Sequence, residues 1–178
     1  MSTVQNITTA EQLLAAGDIG RCELIQGQLL MRAWVTMDAG AIAAKMGFRI
    51  DEFTCGNGVV LSAAGFWIKR NPDTVRSPNI AWIDSSRAPT TSFPGYFEDA
   101  PDLAVEVLTP DDTAMYMDEK IAEWLAAGCR LVWVISPRGQ TVMAYRPDRT
   151  ARLLNAADTL DGGEVLPGLR IPVKQIFQ

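Results

Sequence analysis

Glu106 is a carboxylate in the middle of an otherwise apolar strand, within the stretch "PDLAVEVLTP" at 101–110 of a chain of 178 residues. The stretch has the composition of a β-strand, in which Ala104, Glu106 and Leu108 share one face. If helices cover both faces of the sheet, the carboxylate is buried and needs a partner, because an ionised carboxylate is costly to desolvate. The partner could be a lysine or arginine, or a divalent metal such as Mg²⁺ held by two or three carboxylates. An exposed strand end is the remaining alternative.

The rest of the composition narrows the chemistry further. The chain has no histidine, which excludes Ser-His-Asp and Cys-His catalysis and histidine metal ligands. Its three cysteines are widely separated and form no Cys-x-x-Cys pair, so they indicate neither a disulfide framework nor a zinc site. Any catalysis must therefore use carboxylates, lysine or a hydroxyl group.

Composition and charge indicate one globular domain over residues 1–178. The chain is 48% hydrophobic and 21% charged, which is typical of a globular domain without a disordered block. A net charge of −5 argues against a non-specific DNA coat, although a local basic groove remains compatible with it. No apolar run approaches the roughly 18 residues that span a bilayer, and the N-terminus does not resemble a signal peptide. We therefore expect a chain that contacts no membrane and stays in the cytoplasm.

Hydrophobic periodicity predicts the elements before Glu106. "TTAEQLLAAG" predicts a short helix with a Thr8 to Glu11 capping box, and "CELIQGQLLMR" predicts a β-hairpin. "DAGAIAAKMGFRIDEF" predicts an amphipathic helix, and "VVLSAAGFWIKR" then predicts strands. The apolar stripe of that helix is expected to contain Ile42, Met46, Ile50 and Phe53.

The second half of the chain predicts a strand, a helix and a strand. "LAVEVLT" and "LVWVIS" flank a helical segment with acids in its first turn, and right-handed crossover makes the two strands plausible parallel partners. "IAWID" and "TVMAYR" are further strands, and "TVMAYR" is joined to "LVWVIS" by a turn at 137–140. The fold class is thus an α/β or α+β mixed sheet in one domain. The apolar stripe of the intervening helix contains Met117, Ile121, Trp124 and Leu125.

Several segments in order resemble the Uma2 family of predicted restriction endonucleases, part of the PD-(D/E)xK nuclease superfamily. They are "CELIQGQLL", "NPDTVRSPNIAWI", "PDLAVEVLTPDDT", "EKIAEWLAAGCRLVWVISP", "VMAYRPD" and "DTLDGGEVLPGLRIPVKQIF", and the resemblance extends from about Thr8 to Phe177. It implies a restriction-endonuclease-like core, in which a mixed sheet is flanked by helices. The implied metal site lies at the edges of two adjacent central strands.

The resemblance assigns site roles to individual residues. Glu106 matches a metal ligand, and Leu108 stands where the simplest superfamily motif has lysine. Lys120, 14 residues after Glu106, matches the lysine that Uma2-like sequences carry in the following helix. Glu23 matches a further acid that adds a ligand or holds a water. The alternatives are a surface lysine at Lys120 and an exposed hairpin carboxylate at Glu23.

Asn79 departs from the family pattern. Family members usually have Pro-Asp where this chain has Pro78-Asn79, and that aspartate is the principal metal ligand. An amide oxygen brings no charge, so we expect weaker metal binding and a weakened or inactive nuclease. Asp73 and Asp102, in the other Pro-Asp pairs, are poor substitutes because they fall in a turn and at the far end of the Glu106 strand. Ser136 is a second departure, at a position that often has aspartate.

The resemblance implies metal-assisted phosphodiester hydrolysis, with DNA as the expected nucleic-acid partner. Glu106, Asn79 and Glu23 would hold Mg²⁺ or Mn²⁺, and Lys120 would orient the attacking water or stabilise the transition state. The aromatic loop of Phe93, Tyr96 and Phe97 either stacks bases or caps the core. Candidate phosphate contacts, or else a solvated basic loop, are Lys69, Arg70, Arg76 and Arg87.

Two other functions stay open. The first is a non-catalytic domain that keeps the nuclease fold and binds nucleic acid or protein. The second is a purely structural interaction domain, which predicts that Glu106 pairs with Lys120. Exposed strand edges at "TVMAYR" or in the C-terminal hairpin could also support a homodimer.

Overall fold

A computed structural model describes residues 6–91 and 94–178 as three α-helices, twelve β-strands and a short 3₁₀ turn at Val173–Gln175. The helices are α1 (Ala10–Ala15), α2 (Met37–Thr54) and α3 (Ala114–Ala126). None of the helices in these two ranges is long and apolar enough to cross a membrane.

A six-stranded mixed sheet forms the centre of the fold, in the order β10-β9-β8-β7-β6-β3. β7 and β8 are parallel, and every other neighbouring pair is antiparallel. α3 connects the two parallel strands, so the predicted parallel pairing and the mixed sheet are confirmed. The strands are β3 (Val59–Ser62), β6 (Ile80–Ile83), β7 (Leu103–Val107), β8 (Leu131–Ser136), β9 (Thr141–Tyr145) and β10 (Ala151–Leu154).

The two faces of this sheet bury different parts of β7. Leu103, Val105 and Val107 belong to the core cluster under α2, whereas Ala104 belongs to the cluster under α3. Glu106 lies on the α3 face, as the alternation of the strand predicts. The α3 stripe is confirmed through Met117, Ile121 and Trp124, which are buried, and the α2 stripe through Ile42, Met46 and Ile50. Phe53 is 41% exposed, so its assignment to the α2 stripe is wrong.

A second sheet of four antiparallel strands, in the order β2-β1-β5-β4, carries the N-terminal hairpin. Its strands are β1 (Cys22–Ile25), β2 (Gln28–Met31), β4 (Phe66–Lys69) and β5 (Thr74–Arg76). Two further strands, β11 (Thr159–Gly162) and β12 (Leu166–Pro172), form a hairpin. Strand β9 pairs with β8 on one side and β10 on the other, so the prediction of a free dimerisation edge there is wrong.

Two helix starts differ from prediction. α1 is capped by Thr9, whose side chain accepts from the Gln12 N–H at 3.3 Å, and not by the Thr8 and Glu11 pair. The Gln12 side chain completes the box by accepting from the N–H of Thr9 at 3.2 Å. α3 has no acid in its first turn, because the helix starts after Thr113 and Asp112 therefore lies outside it.

Candidate functional site

Glu106 is buried near the end of β7, on the sheet face that α3 covers. Its Oε1 lies 2.9 Å from the Lys120 Nζ and accepts a hydrogen bond of 3.0 Å from the Trp124 indole N–H. Burial raises the pKa of Glu106, with the Glu23 carboxylate adding to the rise and the Lys120 charge opposing it. The Lys120 ammonium on α3 is therefore the cation that this buried carboxylate requires.

Lys120 connects three parts of the site from the middle of α3. Its Nζ lies 2.9 Å from both Glu106 Oε1 and Glu23 Oε1, and it donates to the Ser77 carbonyl oxygen at 2.9 Å. The side chain is only 4% exposed, so the alternative of a surface lysine is wrong. Burial alone would lower the pKa of Lys120, but the two carboxylates raise it above its ordinary value. Lys120 is thus held as a cation.

Glu23 reaches the same network from β1 of the second sheet, and its side chain is buried. Besides Lys120, it is bound by the Arg76 guanidinium at 2.9 Å, the Ser77 N–H at 3.0 Å and the Tyr116 hydroxyl. Burial would raise the pKa of Glu23, but Lys120, Arg76 and these two hydrogen bonds lower it to about 2. The alternative of an exposed hairpin carboxylate is wrong.

Arg76 is part of this network and not a surface phosphate contact. Its side chain has no exposure, and its Nε donates to Glu123 at 2.6 Å while its Nη1 pairs with Glu23. The expected phosphate role of Arg76 is therefore wrong, because β5 places the buried residue between the second sheet and α3. Two other candidates form salt bridges, Arg70 with Glu98 and Arg87 with Asp99 and Asp102. The fourth candidate, Lys69, is exposed.

Asn79 lies opposite Glu106 at the point where β6 begins. The Ile80 and Val105 pairing of the antiparallel strands puts these two residues side by side on one face. The Asn79 Oδ1 accepts a hydrogen bond of 2.8 Å from the Val107 backbone N–H. Because the oxygen faces this donor, the other terminal atom of the amide is an NH₂ group, which can only donate.

The donor set does not fit a divalent cation as it stands. Both Glu23 oxygens and one Glu106 oxygen are already engaged by cations or N–H and O–H donors, and the Asn79 oxygen is engaged by a backbone N–H. Glu23, Glu106 and Glu123 bring three formal negative charges, and Lys120 and Arg76 cancel two of them. Among the described residues, no group of three or more Asp, Glu, Cys or His side chains could hold a metal ion.

Asp73 and Asp102, the poor substitutes for an aspartate at position 79, and Ser136, the second departure from the family pattern, have structural roles. Asp73 accepts from the Ala10 N–H at 2.9 Å and so fixes the start of α1. Asp102 is buried at the opposite end of β7 and pairs with Arg87 at 3.0 Å. Ser136 accepts from the Gly139 N–H at 3.2 Å in the turn between β8 and β9. None of the three contacts the Lys120 network.

Two contacts of the site were missed from the sequence, although the spacing carries a signal for them. Tyr116, Lys120 and Trp124 recur at every fourth residue of α3 and so share one face of the helix. Tyr116 and Trp124 both donate to carboxylates that Lys120 pairs with. A tyrosine and a tryptophan flanking a lysine at this spacing could have indicated a buried polar cluster.

Two residues of the aromatic loop lie in different places, Phe97 in the core and Tyr96 at a cavity. Phe97 packs edge to face on Phe66, with ring centroids 5.9 Å apart, so its core alternative is confirmed. Tyr96 lines a cavity beside Glu23, and Phe93 lies outside the described residues.

Comparisons with known proteins agree with this architecture. The chain is similar to a solved structure, described as a putative nuclease belonging to DUF820 from Anabaena variabilis ATCC 29413, with a TM-score of 0.84 and 21% identity. The match covers 95% of this chain and 97% of that one, and at this identity it shows the fold alone. No curated protein gave a significant match. A family model described as "Uma2: Putative restriction endonuclease" matches residues 9–174, and the chain therefore belongs to the Uma2 family.

Proposed function

We propose that this chain is a DNA-acting protein of the nuclease fold whose Mg²⁺- or Mn²⁺-dependent endonuclease activity is strongly weakened by Asn79. One observation carries the proposal: the Asn79 oxygen is bound by the Val107 N–H, directly beside Glu106. The atom of residue 79 that could ligate a cation is therefore engaged, and the remaining amide group is a hydrogen-bond donor.

An aspartate at position 79 would behave differently in the same place. One carboxylate oxygen would accept from Val107, and the second would add a negative charge beside Glu106. The formal net charge of Glu23, Glu106, Glu123, Lys120 and Arg76 is −1 with asparagine at position 79 and would be −2 with aspartate. Because Mg²⁺ and Mn²⁺ prefer anionic oxygen ligands, an aspartate at position 79 should raise the affinity of the site for these cations.

Lys120 limits what the network can do by itself. Its raised pKa keeps the ammonium protonated near neutral pH, so it can stabilise negative charge but cannot act as a general base. Glu106 is buried and faces this ammonium at 2.9 Å. Lys120 thus supplies positive charge to the site and is not its proton acceptor.

A non-catalytic nucleic-acid or protein-binding module is the second candidate. The Glu106 and Lys120 ion pair, which is the pairing that a purely structural interaction domain predicts, also favours this module, because the pair satisfies both buried charges without any ligand. The two candidates differ in what Asn79→Asp should do. A weakened nuclease should regain DNA cleavage with Asn79→Asp, whereas a binding module without a catalytic site should not.

Nicking of supercoiled plasmid in Mn²⁺ tests the proposal. The unmodified chain is compared with Asn79→Asp and with Asn79→Asp combined with Glu106→Ala. Asn155→Asp is the matched control, since the Asn155 Oδ1 also accepts a backbone N–H, from Ala157 at 2.9 Å, in a turn outside the site. We expect cleavage by Asn79→Asp alone.

Two results would contradict the proposal. Efficient Glu106-dependent cleavage by the unmodified chain would mean that Asn79 suffices at the site. Absence of cleavage by a folded Asn79→Asp variant would favour the binding module.

A further inference from the structure

A cavity of about 500 Å³ opens beside the Lys120 network, and the contacts of that network do not fill it. Its volume lies within the roughly 300–1,000 Å³ range of ligand sites. Glu23 and Ser77 line it on the side of the network, and Arg21, Trp34 and Val35 also line it. Glu23 and Ser77 both contact the Lys120 ammonium at 2.9 Å, so the cavity is continuous with the candidate site.

Trp34 is the most unusual residue of the cavity, because its large indole side chain is 84% exposed. Hydrogen bonds hold the backbone just before it: the Arg21 guanidinium donates to the Ala33 carbonyl at 2.9 Å, and the Arg32 N–H donates to the Arg21 carbonyl at 2.8 Å. The Arg32 guanidinium is in turn fixed by Asp112. The indole is thus presented to solvent from an anchored segment.

The charges at the cavity suit an anion. Arg21 has no carboxylate within ion-pair distance among the residues that the structure describes, and its guanidinium bonds only a neutral carbonyl there. Glu23 is the acid in the lining, and both of its oxygens are engaged by Arg76 and Lys120, which also pair with Glu123 and Glu106. An exposed aromatic ring next to an arginine without an acidic partner is the combination that binds a base and its phosphate.

We infer that this cavity binds one unpaired nucleotide of a DNA strand, with the base stacked on Trp34 and a phosphate bound by Arg21. The preferred target is then DNA with a single-stranded segment, because a base within a duplex is not free to enter the cavity. The inference rests on the proposed function in taking DNA as the target. It does not depend on whether the chain cleaves DNA.

Fluorescence anisotropy tests this inference with the full chain in EDTA at one fixed, low salt concentration, since affinity for DNA depends on salt. The probe is a fluorescein-labelled DNA oligonucleotide, used single-stranded or annealed to its complement. The variants are Trp34→Ala, Trp34→Phe and Arg21→Gln. Phe48→Ala is the matched control, because Phe48 is an exposed aromatic residue, 66% accessible, outside the cavity.

We expect tighter binding of the single strand than of the duplex. Trp34→Ala should weaken single-strand binding by roughly 5- to 150-fold, the effect of one base stacked on an aromatic ring. Trp34→Phe should retain most of the affinity, Arg21→Gln should weaken it, and Phe48→Ala should leave it unchanged. Thermal melting should show the same transition for Trp34→Ala and the unmodified chain.

The outcomes separate this inference from the proposed function. Duplex binding with no preference for single strands, or no loss with Trp34→Ala, would overturn the inference and leave the proposed function standing. Failure to bind either form of DNA in EDTA would also overturn the inference, and the nicking assay in Mn²⁺ would decide the proposed function separately.

Discussion

Removing the buried ammonium with Lys120→Met should strongly destabilise the fold. Lys120 pairs with two carboxylates, and its side chain and both of theirs are at most 6% exposed. Glu23 would keep Arg76, so the uncompensated charge falls on Glu106. Breaking a buried pair in this way costs about 3–5 kcal/mol, which is a large part of the roughly 5–15 kcal/mol by which a domain is stable.

Urea unfolding at pH 7 measures this loss. Lys69→Met is the matched control, because Lys69 is exposed and its replacement should change the free energy of unfolding by less than about 0.5 kcal/mol. A double variant with Lys120→Met and Glu106→Gln should recover part of the loss, since it no longer buries a lone charge.

The pH dependence gives a second check. Burial already raises the pKa of Glu106, and without Lys120 the opposing charge is gone. A group whose pKa is higher in the folded state is stabilising when protonated, so the penalty is present above the folded pKa and shrinks as the pH falls through it. The gap between Lys120→Met and the unmodified chain should therefore narrow from pH 7 towards pH 5. A gap below about 1 kcal/mol at pH 7 would refute the buried counter-ion.

Two further predictions concern Glu23 and the cysteines. The pKa of Glu23 falls from 4.5 to about 2 on folding, so its ionised form contributes about 3 kcal/mol of stability above pH 4.5, lost as the pH falls towards 2. Glu23→Gln should lower the free energy of unfolding in urea at pH 7 by about 3 kcal/mol. Its free energy of unfolding should also fall less between pH 4.5 and pH 2 than that of the unmodified chain, and an equal fall in both proteins would contradict the role of Glu23. Mass spectrometry after iodoacetamide treatment at pH 8 should find Cys55 alkylated first, because it is exposed. Cys129 should react only on unfolding, since burial raises its pKa to about 12, and its early modification would contradict the buried position.

The central sheet could be predicted because its signals are local. The alternation along β7 places Glu106 on one face, and the strand, helix and strand order determines the parallel pairing with β8. The second sheet was not predicted as a unit. Its strand β5 is only three residues long, Thr74–Arg76, and such a run gives no usable periodicity. The pairing of β5 with β1 and β4 is determined by long-range contacts.

The pairing of Glu106 with Lys120 follows from one of the alternatives that the sequence left open, whereas the other contacts of the network do not. Glu23, Glu106 and Lys120 lie together, and the burial of Arg76 among them depends on the packing of the second sheet against α3. The contact of Asn79 with Val107 depends on the register of β6 against β7, and one residue of slippage would turn the side chain to the other face. The sequence therefore predicts weaker metal binding at Asn79 and does not show that the amide oxygen is engaged by Val107.

Isothermal titration of Mn²⁺ into the unmodified chain and into Asn79→Asp tests most directly whether Asn79 disables the site. We expect at least a roughly tenfold gain in affinity for Asn79→Asp, because the substitution adds an anionic oxygen beside Glu106. The gain should disappear when Glu106→Ala is added. Tight Mn²⁺ binding by the unmodified chain, abolished by Glu106→Ala, would contradict the account.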